Sequence, residues 1–348
     1  MKEERIIFSD ILRIVAAFFV ILIHVTCVGL YDYDIGSSVW TCSLVLNSIS
    51  RWCVPVFFML SGIFFLDPKR GFDIRRFFLK NFLRIILCLA VWGFFYSILD
   101  QYLYGTLNVK SLLIALYGIV TNHTGGYQLW FLYTLLILYL ETPILRVFTS
   151  HATKRQLEYT LLVWFVCSIL LSQVNSLASE WLQFQDMFAY SALTITAYSG
   201  YYLLGHYLIC YPLQKRVLSV LLVMAALSAV LMPLANVVLA QHFGLRAPGS
   251  IHTPLGVGTC FMSVALFSLA QKIDASKWKE RTKKCVATAS KHTFGIYLVH
   301  VFFVSLVFRI ICVPLTPVMV VFWTAAIYGA SYLVAFLLSK IPLVQKIV

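Results

Sequence analysis

Arg13 and His24 stand eleven residues apart inside an almost unbroken apolar run, SDILRIVAAFFVILIHVTCVGL, at residues 9–30. At about 100° and 1.5 Å per residue, that spacing returns to nearly the same helix face roughly 16 Å further along the axis. Arg13 then sits at one membrane surface, and His24 lies about halfway through a hydrocarbon layer some 30 Å thick. An ionisable ring at that depth costs several kcal/mol in hydrocarbon, so it faces a bundle interior or a wet cavity. The chemistry it offers is proton transfer, since an imidazole with its ordinary pKa of about 6.5 suits a general base. The plainer reading is a neutral ring hydrogen-bonded to a neighbouring span. Asp10, three residues before Arg13, is an N-cap or a partner that orients the guanidinium. Ala16 and Ala17 lie between arginine and histidine, where small side chains either leave room for a slender chain or let helices approach closely.

A second concentration of charge is KRGFDIRRFFLKNFLR, residues 69–84, which includes Arg76, Lys80 and Arg84. Lys80 and Arg84 are one helical turn apart and are expected to share a face. Lys69 and Arg70 suit lipid headgroups and topology marking. Arg84 lies several residues inside an apolar run, where a cation wants an anion, and together with Arg13 it can hold phosphates by charge-assisted hydrogen bonds. The natural combination is a phosphorylated donor on the inner side whose reactive end reaches His24.

Three residues are candidates for acceptor contact on the outer side. Asn47 and Arg51 open LNSISRWCVPVFFMLSGIFFL (46–66), where Arg51 either meets an acceptor or snorkels. In the same stretch Pro55 is expected to kink or loosen the helix, and Ser61 and Gly62 to permit close packing. Trp130 belongs to YQLWFLYTLLILYLETPIL (127–145), although interfacial aromatics are ordinary belt residues. Two further residues take supporting roles. Glu141 is expected to pair with a basic neighbour such as Arg146, and His300, in SKHTFGIYLVH (290–300), is a second buried histidine for which packing is the favoured role.

The elements that must position these residues are transmembrane helices. Hydrophobic residues make up 61% of the chain, charged residues only 12%, and the mean hydropathy is +0.86, far from a soluble domain. Apolar runs of spanning length occur near 11–30, 44–66, 78–99, 128–148, 157–174, 190–211, 217–240, 252–271, 293–312 and 318–339. The expected fold is all-α: a polytopic membrane protein of about ten helices, a single domain over residues 1–348. A shorter run from Ser111 to Val120 suits a helix lying in the interface. With the N-terminus inside, only Arg51, Lys110, Arg246 and Arg309 of the 27 basic residues fall outside. The positive-inside rule therefore puts both termini in the cytoplasm. That distribution also explains the net charge of +13 without nucleic acid. None of the nine cysteines forms a C-x-x-C pair, so no metal is expected, while pairing among Cys27, Cys42 and Cys53 is left open.

These stretches resemble acyltransferase family 3, the bacterial integral-membrane O-acyltransferases. The agreeing residues are Asp10, Arg13 and His24 in their spacing, VPVFFMLSGIFF, the basic approach to the third span, LWFLYTLLILYLETPIL and GIYLVH. The likeness runs from about residue 9 to 340 and is greatest to the branch that O-acetylates enterobacterial common antigen. The resemblance implies acyl transfer, in the bacterial inner membrane, from cytoplasmic acetyl-CoA or another acyl-CoA to a hydroxyl of an extracytoplasmic glycan. No cofactor is permanently bound in such a reaction. It assigns His24 to the family's essential histidine and Arg13 to the arginine before it. The family often has R-x-x-x-R at the third span; here Lys80 and Arg84 match it, which keeps the charge and loses one bidentate fork. An acyl-imidazole intermediate is the alternative to general-base catalysis. A carrier of a small polar solute is the competing function, although neither inverted repeats nor paired broken spans are visible. Lipids are the expected surroundings, and homo-oligomers remain open.

Overall fold

A computed structural model of the chain describes residues 6–121, 126–182, 197–244, 246–247, 251, 253–342 and 344–347. The first residues of the expected sixth span (190–196), and also Lys2, Arg5, His123 and His252, lie outside the described residues. Among the described residues the structure is helical without strands. In chain order the helices are α1 (Ile7–Asp32), α2 (Ser38–Ser50), α3 (Cys53–Phe65), α4 (Ile74–Leu103), α5 (Val109–Thr121), α6 (Tyr127–His151), α7 (Lys154–Glu180) and α8 (Ala197–Cys210). They continue with α9 (Lys215–Phe243), α10 (Val257–Ala270), α11 (Glu280–Lys291), α12 (Thr293–Ile310) and α13 (Pro317–Leu338).

Eight of these segments are long and apolar enough to cross a membrane, with α2 and α3 counted together as Ser38–Phe65. Shorter α8 and α10 stand at the other two expected spans, and α5 occupies the expected interfacial run. The chain is an all-α polytopic membrane protein. Its outward surface is apolar, as lipid contact requires: α9 exposes Val220, Val223, Leu227, Val230, Leu234 and Val238, a stripe at helical spacing. The basic segment after α10 differs from a plain loop, because Glu280–Lys291 forms a helix of its own.

At the centre is α1, packed against α2, α3, α10, α11, α12 and α13. Two features of its neighbours depart from the periodic pattern. The second span is broken at Arg51 and Trp52, not kinked at Pro55. Pro55 falls in the first turn of α3, where its missing N–H would have had no intrahelical partner, so the helix restarts just ahead of it. In α4, residues Phe78–Phe82 form a widened π turn with i→i+5 hydrogen bonding.

Helices α3 and α8 cross with their backbones in close approach. A Cβ added at Gly62 would overlap the Tyr202 carbonyl, and one added at Gly205 would overlap the Met59 carbonyl. These reciprocal contacts let two backbones meet, the use of small residues foreseen for this stretch. Gly62→Ala and Gly205→Ala should each destabilise the protein by about 1–3 kcal/mol through overpacking. The measurement is a thermal melt of detergent-purified protein followed by size-exclusion recovery; wild-type melting in both variants would contradict the close crossing.

Candidate active site

One face of α1 carries Arg13, Ala17 and His24 into a cavity of about 210 Å³. The eleven-residue spacing thus places arginine and histidine in one space, as the helix geometry requires. Ala17 lines that space, while Ala16 is buried in the helix packing. From other helices the cavity receives Arg84 of α4, Trp130 of α6, and Thr293, Tyr297 and His300 of α12. The three α12 residues follow at intervals of four and three, so they form one helix stripe.

At the deep end the His24 ring centre lies 4.9 Å from that of His300 and 5.2 Å from that of Tyr127. His300 is fully buried, and its Nδ1 bonds the Tyr297 carbonyl at 2.6 Å. A carbonyl only accepts, so Nδ1 carries the hydrogen and Nε2 is the bare acceptor. That Nε2 and the Nδ1 of His24 are both buried without a hydrogen-bond partner. Buried polar atoms in this state are rare and call for a reason such as catalysis or an absent ligand.

At the other end, Arg13 approaches Asp10 at 3.4 Å. Asp10 lies inside α1, not at its cap, and accepts from Ser290 Oγ of α11 at 2.7 Å, so it acts as the orienting partner. The Arg13 guanidinium rests 4.9 Å from the Phe64 ring centre, and that of Arg84 rests 5.2 Å from Phe294. Among the described residues no carboxylate lines this cavity, so the end that holds Arg13 and Arg84 is a cationic seat.

His24 also lines a second cavity of about 410 Å³ on the opposite side, with Cys27, Asp32, Arg51, Tyr127, Ser305 and Arg309. Among the described residues it alone belongs to both linings. A ring placed so can meet a group arriving from either side.

Lys80 and Arg76 are elsewhere. They line a depression of about 430 Å³ with Arg70 and Arg146. Lys80 and Arg84, expected to share a face, line different spaces, and a widened π turn, Phe78–Phe82, contains Lys80 and ends just before the turn of Arg84. The two spaces adjoin at Phe64, whose ring meets Arg13 and also Arg70, at 5.0 Å.

Asn47 and Arg51 are deeper than expected, because the span begins at Ser38. Asn47 is fully buried and donates to the Ile23 carbonyl at 3.0 Å and to Thr26 Oγ1 at 2.8 Å. It lines neither cavity; instead it fixes the turn of α1 next to His24. Arg51 reaches the second cavity. The expected pairing of Glu141 with Arg146 does not form: Glu141 accepts from Ser199, and Arg146 donates to the Phe65 and Arg70 carbonyls at 2.8 and 2.6 Å. Five residues apart, the two side chains point about 140° away from each other. Cys27, Cys42 and Cys53 are free thiols.

A family model described as an acyltransferase domain, Acyl_transf_3, matches residues 6–340. The chain belongs to that family. No curated protein and no solved structure matches it. The membrane acyltransferase family match favours acyl transfer over solute carriage, and it extends from before α1 to beyond α13, so both cavities lie within it.

What the sequence reading of this acyltransferase missed is the partnership of His300 and Tyr127 with His24. A signal was present: both histidines stand within apolar runs, eleven residues after Arg13 and nine after Lys291. If the two imidazoles act as a unit, His300→Ala should lower acyl transfer at least about tenfold, and adding it to His24→Ala should lower it no further. Label transfer by purified single and double variants measures this; independent, multiplicative losses would show that the rings act separately.

Proposed function

We propose that this membrane acyltransferase takes an acetyl group from acetyl-CoA on the inner side and delivers it to a glycan hydroxyl on the outer side. The observation that carries the reading is the membership of His24 in both cavities, one ending in arginines and one opening the other way. The distribution of basic residues supports an orientation with both termini cytoplasmic in a bacterial inner membrane. The likeness to the branch acting on enterobacterial common antigen supports a cell-surface or lipid-linked saccharide as acceptor.

In this reaction Arg13 and Arg84 hold donor phosphates, since guanidinium groups form strong charge-assisted bonds to them. Arg76 and Lys80, in the neighbouring depression, face the nucleotide end of the donor. From Arg13 to His24 the helix rises about 16 Å, which an extended chain of roughly thirteen or fourteen bonds covers at the reach of a peptide backbone. A pantetheine arm has that length, and Ala17 leaves its path open.

The acceptor hydroxyl comes from the second cavity. His24 takes its proton as the oxygen attacks the thioester carbonyl; the C–O bond forms, the C–S bond breaks, and the thiolate leaves with the proton returned by the imidazole. The products are an O-acyl ester and free CoA thiol. General-base assistance of this kind contributes typically about 10²- to 10⁴-fold. Trp130, in the inner cavity beside Phe131, walls the path of the acyl group.

Inside-out vesicles given acetyl-labelled acetyl-CoA test the reading. Label should accumulate on a lipid-linked glycan, His24→Ala should abolish it with the protein still in the membrane, and Arg13→Gln or Arg84→Gln should each raise KM for acetyl-CoA about 10- to 100-fold. Robust transfer by the His24 variant would remove the mechanism; solute uptake without label on glycan would support a carrier.

A further inference from the structure

Arg51 stands at the break between α2 and α3, thirteen residues below Ser38, so it lies about 20 Å down a membrane-spanning segment. It lines the outer cavity together with His24, and its Nε is buried with no hydrogen-bond partner. Among the described residues no carboxylate comes within ion-pair distance of it. The groups facing its charge are His24, Cys27, Cys53, Tyr31 and Tyr198, and the one carboxylate lining this cavity among the described residues, Asp32, forms no ion pair with it. Arg309, the other cation of this cavity, is different: it pairs with Asp100 at 3.8 Å and is half exposed. A cation at membrane depth costs several kcal/mol and is ordinarily met by a counter-ion or a backbone carbonyl. Arg146 in this same chain is met in that way, by two carbonyls.

We infer that Arg51 is the seat of an anionic group, carboxylate or phosphate, carried by the acceptor, and that it brings a neighbouring hydroxyl of that acceptor to His24. The inference rests on the acyl-transfer reading for the word acceptor, and on the cavity alone for the anion. It narrows the substrate to acidic saccharides. A guanidinium suits the role better than an ammonium because its fork binds both oxygens of a carboxylate or phosphate.

The test is binding of three probes to the full chain in lipid nanodiscs: hexyl β-glucoside, hexyl β-glucuronide and hexyl β-glucoside 6-phosphate. At least one anionic probe should bind about tenfold or more tighter than the neutral one, as a charge-assisted contact implies. Which anion leads distinguishes a carboxylate from a phosphate source. Arg51→Gln should bring all three within about twofold of each other, and Arg51→Lys, which keeps the charge and loses the fork, should fall between. Equal binding of the three probes by the wild type, no binding of any, or a preference unchanged in both variants overturns the inference. Should Arg51→Gln not accumulate, the wild-type preference and its decline in Arg51→Lys decide. Loss of anion preference with label transfer in vesicles intact would remove this site alone. Anion preference without label transfer would remove the acyl route and leave the site standing.

Discussion

Inside a bilayer a polar atom finds no water, so each one must meet another protein group, a cavity or a ligand. Most of the polar groups that hold this bundle together obey that demand internally. Thr26 donates to its own helix at Leu22, Asn236 donates to Ser48, and Tyr96 bridges the Leu298 carbonyl and the Phe302 amide. Several buried atoms lack a partner, among them Gln128 Nε2, Ser268 Oγ, Trp323 Nε1 and Ser331 Oγ in the helix packing. His24 Nδ1, His300 Nε2 and Arg51 Nε differ in place: their side chains border the two cavities that meet at His24, where an incoming group can reach them.

The scaffold also fixes where the open atoms point. Asp10 holds Arg13 and is itself held by Ser290 from α11. Asn47 clasps α1 at Ile23, one residue before the histidine. Tyr297 donates to the Gln128 carbonyl at 2.6 Å, tying the helix of His300 to the start of α6, where Tyr127 and Trp130 lie. The helices that carry Arg13, His24 and His300 are thus each tied to a neighbouring helix beside the site. The site exists only in the assembled bundle, which explains why the tight glycine crossing of α3 and α8, away from the chemistry, matters for it.

Much of this was legible in the chain because helix periodicity is local. Eleven residues return to one face whatever surrounds them, so Arg13 and His24 could be placed together, and apolar runs located the spans. What was not legible depends on departures from regular helix or on distant pairing. Lys80 and Arg84 line different spaces, and nothing in FLKNF marks the π turn at Phe78–Phe82 that lies there. The break at Arg51 is set by Pro55, but its position ahead of the proline depends on which residue the helix restarts from. His300 sits 276 positions after His24, and no spacing rule reaches so far. Glu141 drew its partner from α8 instead of its own helix, because a five-residue separation turns Arg146 away.

The division of space bears on how material crosses such a protein. A carrier must open to each side in turn, with its helices rocking around a fixed site. Here α1 is packed against six helices, and among the described residues the cavities share a single lining side chain, so little in the geometry favours such rocking. In the proposed reaction nothing larger than an acyl group has to pass. Donor and acceptor keep to their own cavities, each held by its own arginines, and their reactive ends need meet only within the width of one imidazole. Holding two reactants in this way supplies catalysis through proximity, and the packing of α1 that closes the membrane is the same packing that fixes the ring between them.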